Sequence, residues 1–227
     1  MAIGFGNLTT QKNSSSQTSA TYTHICAANT SLLVVRVALR GISATPTAVS
    51  VSINGSAASL VTGSLVTNSN SRALTAFYIL PNPPAGSLSV SLAWNNTANE
   101  ISSALDLTGA ASQDLTSQTG LGNSASVVLS IACPQDGLVL DSIDANNDRT
   151  FSPTDGVIPH YTSLGTATGS SDVSHCAGYR GGTGTLSLGW TISSASNYVY
   201  SLIAIPAAAE PPPAGGGGQF LYFFGDR

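Results

Sequence analysis

The strongest constraint in this chain is a period of two. Val49-Ser50-Val51-Ser52-Ile53 and Ser87-Leu88-Ser89-Val90-Ser91-Leu92 alternate an apolar side chain with a serine at every step. Successive side chains of a strand point to opposite faces, so each run has one dry face and one wet face. Winding either into a helix would scatter both. Similar runs rich in β-branched residues predict strands over 21–26, 32–40, 48–53, 72–80, 87–94, 100–107, 126–132, 138–143, 173–179, 185–192 and 198–205, about eleven in all. No stretch carries a convincing helical period. Asn54-Gly55, Asp136-Gly137 and Asp155-Gly156 are dipeptides that accept positive φ, and Pro81–Gly86 reads as a loop. Leu32-Leu33-Val34-Val35 and Leu138-Val139-Leu140 do not alternate, as befits central strands covered on both faces. The expected fold is all-β, an antiparallel β-sandwich of jelly-roll-like type with extended N- and C-terminal arms.

The chain of 227 residues is expected to hold one such domain, over 21–206. Residues 1–20 are rich in Thr, Ser, Asn and Gln with little to bury, and are expected to form a polar N-terminal arm. Residues 207–218 contain Pro211-Pro212-Pro213 followed by four glycines, a linker composition with a stiff part and a hinge. Beyond it, residues 219–227 carry Phe220, Leu221, Tyr222, Phe223 and Phe224 in succession. Such a segment is an aggregation hazard in water and is read as an anchor that binds a partner, by strand addition or by filling apolar pockets. The competing expectation is that it returns to its own sandwich as a last strand.

Charge narrows the functional classes. Lys and Arg number 7 and Asp and Glu 11, so charged residues are only 8% of the chain. No basic stripe exists to neutralise phosphates, and nucleic acid is not an expected partner. No stretch approaches the length of apolar sequence that crosses a bilayer as a helix, and membrane association is not expected either. Met1–Gly6 lacks the basic and apolar regions of a signal peptide. Cys26, Cys133 and Cys176 allow at most one internal disulfide. A short echo, in which Cys26 precedes Leu32–Val35 and Cys133 precedes Leu138–Leu140, brings those two cysteines near each other if the two hairpins occupy equivalent places; coincidence accounts for it as well.

Chemical motifs are sparse. Asp144, Asn146, Asp148 and Asp155 stand at the first, third, fifth and twelfth positions of a calcium-loop spacing. Arg149 occupies the place of the glycine that the sharp turn needs, however, and a polar loop after a core strand explains the same residues. His24, His160 and His175 are too scattered for zinc and are expected to be ordinary strand or loop histidines. No nucleophile elbow or paired-carboxylate arrangement is present, so no catalytic residue and no cofactor is expected. Trp94 and Trp190 each close an alternating run; exposed they would stack on sugar rings, buried they would fill a core.

Taken together, Tyr22–Cys26, Ser31–Val35, Val49–Gly55, Gly181–Gly184, Leu186–Trp190 and Leu202–Pro206 resemble a loosely defined set of Ser/Thr/Gly-rich β-sandwich proteins of tailed bacteriophages. The resemblance covers about residues 20–206 and rests on strand and turn motifs. It implies a non-enzymatic virion structural protein, whether capsid decoration, tail or fibre, made in the host cytoplasm and located in the virion. Its partners would be other virion proteins and copies of itself. The alternative is a lectin-like carbohydrate-binding module or adhesin, whose ligand would be a host-surface glycan.

Overall fold

The computed structural model describes residues 2–146, 149–165 and 173–209. Among these residues there are twelve strands and no helix: β1 Gly4–Cys26, β2 Leu32–Gly41, β3 Val49–Ile53, β4 Ser56–Ala57, β5 Ser59–Leu60, β6 Val66–Asn68, β7 Ala73–Pro81, β8 Gly86–Thr108, β9 Thr116–Asn146, β10 Phe151–Thr154, β11 Ile158–Gly165 and β12 Val173–Ile205. Every ladder is antiparallel, and the pairing joins β1–β8 into one set and β9–β12 into another. The all-β antiparallel sandwich expected from the alternating runs is therefore the fold of the chain.

The longest strands bend and serve both layers of a sandwich. Residues 4–13 of β1 pair with 100–108 of β8, the register breaks between Asn13 and Ser19, and residues 19–26 pair with 86–93. Counting the bent halves separately gives eight segments in chain order: 4–13, 19–26, β2, β3, β4, β7, 86–94 and 98–108. One layer has the order first, eighth, third, sixth, and the facing layer has second, seventh, fourth, fifth. That is the double Greek key of a jelly roll.

The same pattern then recurs. Residues 116–124 of β9 pair with 196–204 of β12, 126–133 with 184–191, and 138–146 lie between 173–181 and 198–205. β10 sits on 189–192 as β3 sits on 90–94, while β11 takes the edge beside 174–179. Register matches Leu32 with Leu138 and Ile79 with Tyr179. It also matches Ser91-Leu92-Ala93-Trp94 with Ser187-Leu188-Gly189-Trp190. The single sandwich expected over 21–206 is thus two jelly rolls in tandem. The arm expected over 1–20 is, from Gly4 onward, the first strand of the first one. Its hydroxyl-rich composition suits an edge strand, because β8 supplies the hydrogen bonds and the side chains need only face water.

Three apolar clusters hold these layers together. Leu33, Val35, Val37 and Leu39 of β2 meet Val51, Ile53, Leu88, Val90, Leu92 and Trp94 inside the first jelly roll. Val139 and Ile143 meet Leu186, Leu188, Trp190 and Ile192 inside the second. The alternate side chains of the same central strands, Leu32, Val34, Leu138 and Leu140, pack with Phe77, Ile79, Leu105, Leu107, Ile203 and Ile205 in a third cluster between the two jelly rolls. Each fully buried aliphatic side chain contributes roughly 1.5–3 kcal/mol.

The echo around Cys26 and Cys133 belongs to this repeat, but the two cysteines lie in different cores and all three cysteines are free. The proximity that equivalent hairpins suggested does not arise, because equivalent places in two stacked sandwiches are separated by the layers between them. Burial pushes all three thiols up, Cys176 most strongly. In a thiol titration at neutral pH the native protein should react negligibly and the denatured protein should show all three cysteines; rapid reaction of a native thiol would contradict this packing.

Candidate functional site

Where the third cluster gives out, the junction between the jelly rolls turns polar. Arg36 of β2 is buried there, with Nη2 donating to the Gly178 carbonyl at 3.1 Å and to His160 Nδ1 at 3.0 Å. Ser142 shares hydrogen bonds with Thr75 at 2.6 Å and with His175 Nε2 at 2.9 Å, and the other nitrogen of His175 meets the Tyr161 hydroxyl at 3.1 Å. Two contacts echo each other across the junction: Tyr161 donates to Ser103 at 3.5 Å, and Ser201, in the register position of Ser103, donates to the Ser64 carbonyl at 2.7 Å. The serine, histidine and tyrosine resemble a nucleophile beside its base. Burial and the Arg36 charge nevertheless push His175 down to about 3, far from the value a general base needs near neutral pH. Ser142 and His175 are wholly enclosed, so their chain of hydrogen bonds seats one jelly roll on the other.

A second polar set lies at the end of the first sandwich. His24 Nε2 and Asp106 Oδ1 are 2.8 Å apart, and His24 Nδ1 is 2.9 Å from the half-buried Thr9 hydroxyl. Asp106 Oδ2 accepts from the Ala27 amide at 2.7 Å and from the Asn7 amide at 3.4 Å. The carboxylate therefore fixes both halves of β1 and the turn that follows, and holds the irregular register between Phe5 and Leu8 in place.

The candidate residues of the sequence fare differently. Asp144 is not the start of a calcium loop: it lies within β9, fully buried, facing the junction where Arg40 is the opposing charge. Asp155 belongs to the β10–β11 turn at φ 53° and accepts from Thr154 Oγ1. Asn146 ends β9, and Asp148 lies outside the described residues. The oxygens meant to converge are thus distributed between a core strand and a turn. Trp94 is 6% exposed and donates to the Gln17 carbonyl, and Trp190 is 0% exposed and donates to Asp141, so both rings are core rather than sugar platforms. His24 and His175 are enclosed. The aromatic anchor Phe220–Phe224 and linker residues 210–218 lie outside the described residues.

What sequence reasoning missed is an aromatic pocket of about 320 Å³ where the two jelly rolls meet, lined by Ile3 and Phe5 of the first and by Asp136, Leu138, Tyr179 and Gly181 of the second, among others. The Phe5 ring lies 4.4 Å from Tyr179 and 5.4 Å from His160, and His160 stacks on Tyr179 at 4.9 Å, each between ring centroids. Burial and Arg36 hold His160 down at about 3, so it joins this cluster as a neutral ring. Gly137 is required here, since a Cβ would stand 2.8 Å from the Pro134 carbonyl oxygen and 3.0 Å from that of Ile205. At the equivalent end of the other jelly roll Ile79 stands in the register position of Tyr179 and belongs to one cluster with Leu115 and Val61, all aliphatic, with Val61 and Ile79 buried. Phe5, by contrast, is 40% exposed. The aromatic end of the junction is thus the one where a large ring is exposed.

Comparison with protein-family models, with curated proteins and with solved structures returns no significant match.

Glu100 provides a test of the interior. It is buried inside the first sandwich, and among the described residues neither of its carboxylate oxygens has a hydrogen bond of ordinary geometry. Burial pushes its pKa from 4.5 up to about 7, against a smaller opposing pull from nearby Ser102. The folded state therefore keeps a proton that the unfolded chain releases, and the stability so conferred is full below about 4.5 and lost as the pH rises through about 7. A shift of that size corresponds to roughly 3 kcal/mol. Glu100→Gln should accordingly raise the melting temperature relative to wild type much more at pH 8 than at pH 4; an equal difference at both would show that Glu100 is not held in this way. His160 and His175 act with the opposite sign, destabilising the fold as the pH falls from 6.5 toward 3.

Proposed function

We propose that this chain is a non-enzymatic virion structural protein of a tailed phage, a capsid decoration or tail or fibre component, that attaches to neighbouring subunits through its C-terminal arm. Jelly rolls are shared by viral capsid proteins, lectins and cupins, so the fold admits the reading without deciding it. The observation that carries it is how Pro206, Ala207 and Ala208 are held. Ala207 bridges to Ala110, the Ala208 amide donates to the Gly109 carbonyl at 2.7 Å, and the Ala111 amide donates to the Pro206 carbonyl at 2.8 Å. In this reading the Pro/Gly linker, whose first residues are held beside the junction, would present four aromatics and a leucine to a neighbour.

The remaining features are consistent with a passive building block. Arg36 and His175 are hydrogen-bonded within the junction, and the glycan-binding alternative has lost the two tryptophans named as its platforms. The proposed partners are other virion proteins and copies of this chain, in a virion location.

Removing residues 210–227 should leave a β-sheet circular dichroism spectrum and a melting temperature close to wild type. Light scattering should show that the full chain self-associates at micromolar concentration and that the truncated one is a monomer. Unchanged self-association after truncation would remove the arm from the proposal.

A further inference from the structure

The aromatic end of the junction lies beside the anchored Ala208. Gly137, on the wall of the aromatic pocket, sits against the Ile205 carbonyl, and the strand that carries Phe5 begins opposite Thr108, next to the Gly109 that binds Ala208. The pairing of β11 with β12 stops at Tyr179, and Gly181 and Gly182 continue past it along the pocket wall. A Cβ built on Gly181 would meet nothing nearer than the Gly137 carbonyl oxygen at 3.9 Å. The pocket therefore offers ring faces from Phe5 and Tyr179 together with a side-chain-free stretch of strand, which suits an extended segment carrying aromatic side chains.

We propose that this pocket is the receptor for the Phe220–Phe224 segment of a neighbouring copy of the chain. The inference rests on the self-assembly reading above and names the site that the arm engages. The chain supplies the complementary group itself: four aromatics and a leucine close to its end, joined by residues 210–219 to the anchored Ala208. Ten residues span at most about 33–36 Å, enough to cross to an adjacent subunit. Each copy then has one arm and one pocket, so the contact is head-to-tail and propagates through a ring or a lattice. The aliphatic end of the junction presents Leu115, Val61 and Ile79 instead of aromatic rings, which is why one receptor per chain is inferred although the jelly roll occurs twice.

The test uses full-length chains. Thr183→Cys places a thiol in the pocket wall and Phe224→Cys places one in the arm, while the three native cysteines are buried. Mixing the two single variants under mild oxidation should give at least about tenfold more mixed disulfide dimer than mixing Phe224→Cys with a Ser124→Cys control, because docking raises the local thiol concentration. Gly181→Leu, which fills the pocket from its wall, should reduce both the cross-link and the self-association while leaving the melting temperature near wild type. Cross-linking within one chain of the Thr183→Cys/Phe224→Cys double variant, with none between mixed single variants, would overturn the neighbour as the source. Absence of both cross-links would overturn the pocket as the receptor. Self-association that truncation abolishes but Gly181→Leu leaves intact would sink this inference and leave the assembly reading standing; a full chain that remains a monomer would sink the assembly reading itself.

Discussion

The structure depends on two strands that have no wet face. β2 and residues 138–146 of β9 each send one set of side chains into their own sandwich and the other set into the space between the sandwiches. Neither jelly roll can be solvated alone without exposing Leu32, Val34, Phe77 and Leu105 on one side or Leu138, Leu140, Ile203 and Ile205 on the other. The two therefore form one folded body despite having two internal cores. The long bent strands follow from this: each leaves the shared inner layer, turns at a register break, and continues in the outer layer.

Apolar contact alone would let the two inner layers slide over each other. Hydrogen bonds are directional, and the polar half of the junction supplies them in related pairs, Tyr161 to Ser103 and Ser201 to Ser64, with Arg36 inserted between Gly178 and His160. Burying a guanidinium is costly, and among the described residues only Nη2 of Arg36 finds acceptors while Nε and Nη1 have none, so the part of the cost that is offset is offset by groups of the opposite jelly roll and only in the correct seating. The two ends of the junction also differ, one being aliphatic and the other aromatic.

Alternation of Val49–Ile53 and of Ser87–Leu92 was legible as strand because a period of two needs no knowledge of neighbours. Residues 4–20 and 116–125 were not legible, and for one reason: both contain the outermost inner-layer strand of their repeat, where pairing is supplied by β8 or β12 and almost any polar residue is accepted. Asp144 was misread because a carboxylate in sequence looks the same whether it faces a loop or Arg40 in a sealed interface. Phe5, His160 and Tyr179 lie more than 150 residues apart at the extremes, and no spacing rule connects them.

Sequence by itself determined the all-β class, the central strands and the turns at Asn54, Asp136 and Asp155, since these depend on local side-chain periodicity and on φ preferences. Only the tertiary structure decided that the fold is a duplicated jelly roll, that Trp94 and Trp190 are core, and that an aromatic pocket opens near Ala208. Those outcomes depend on which faces of distant strands meet, and a strand's pattern states that a face must be covered without stating by what.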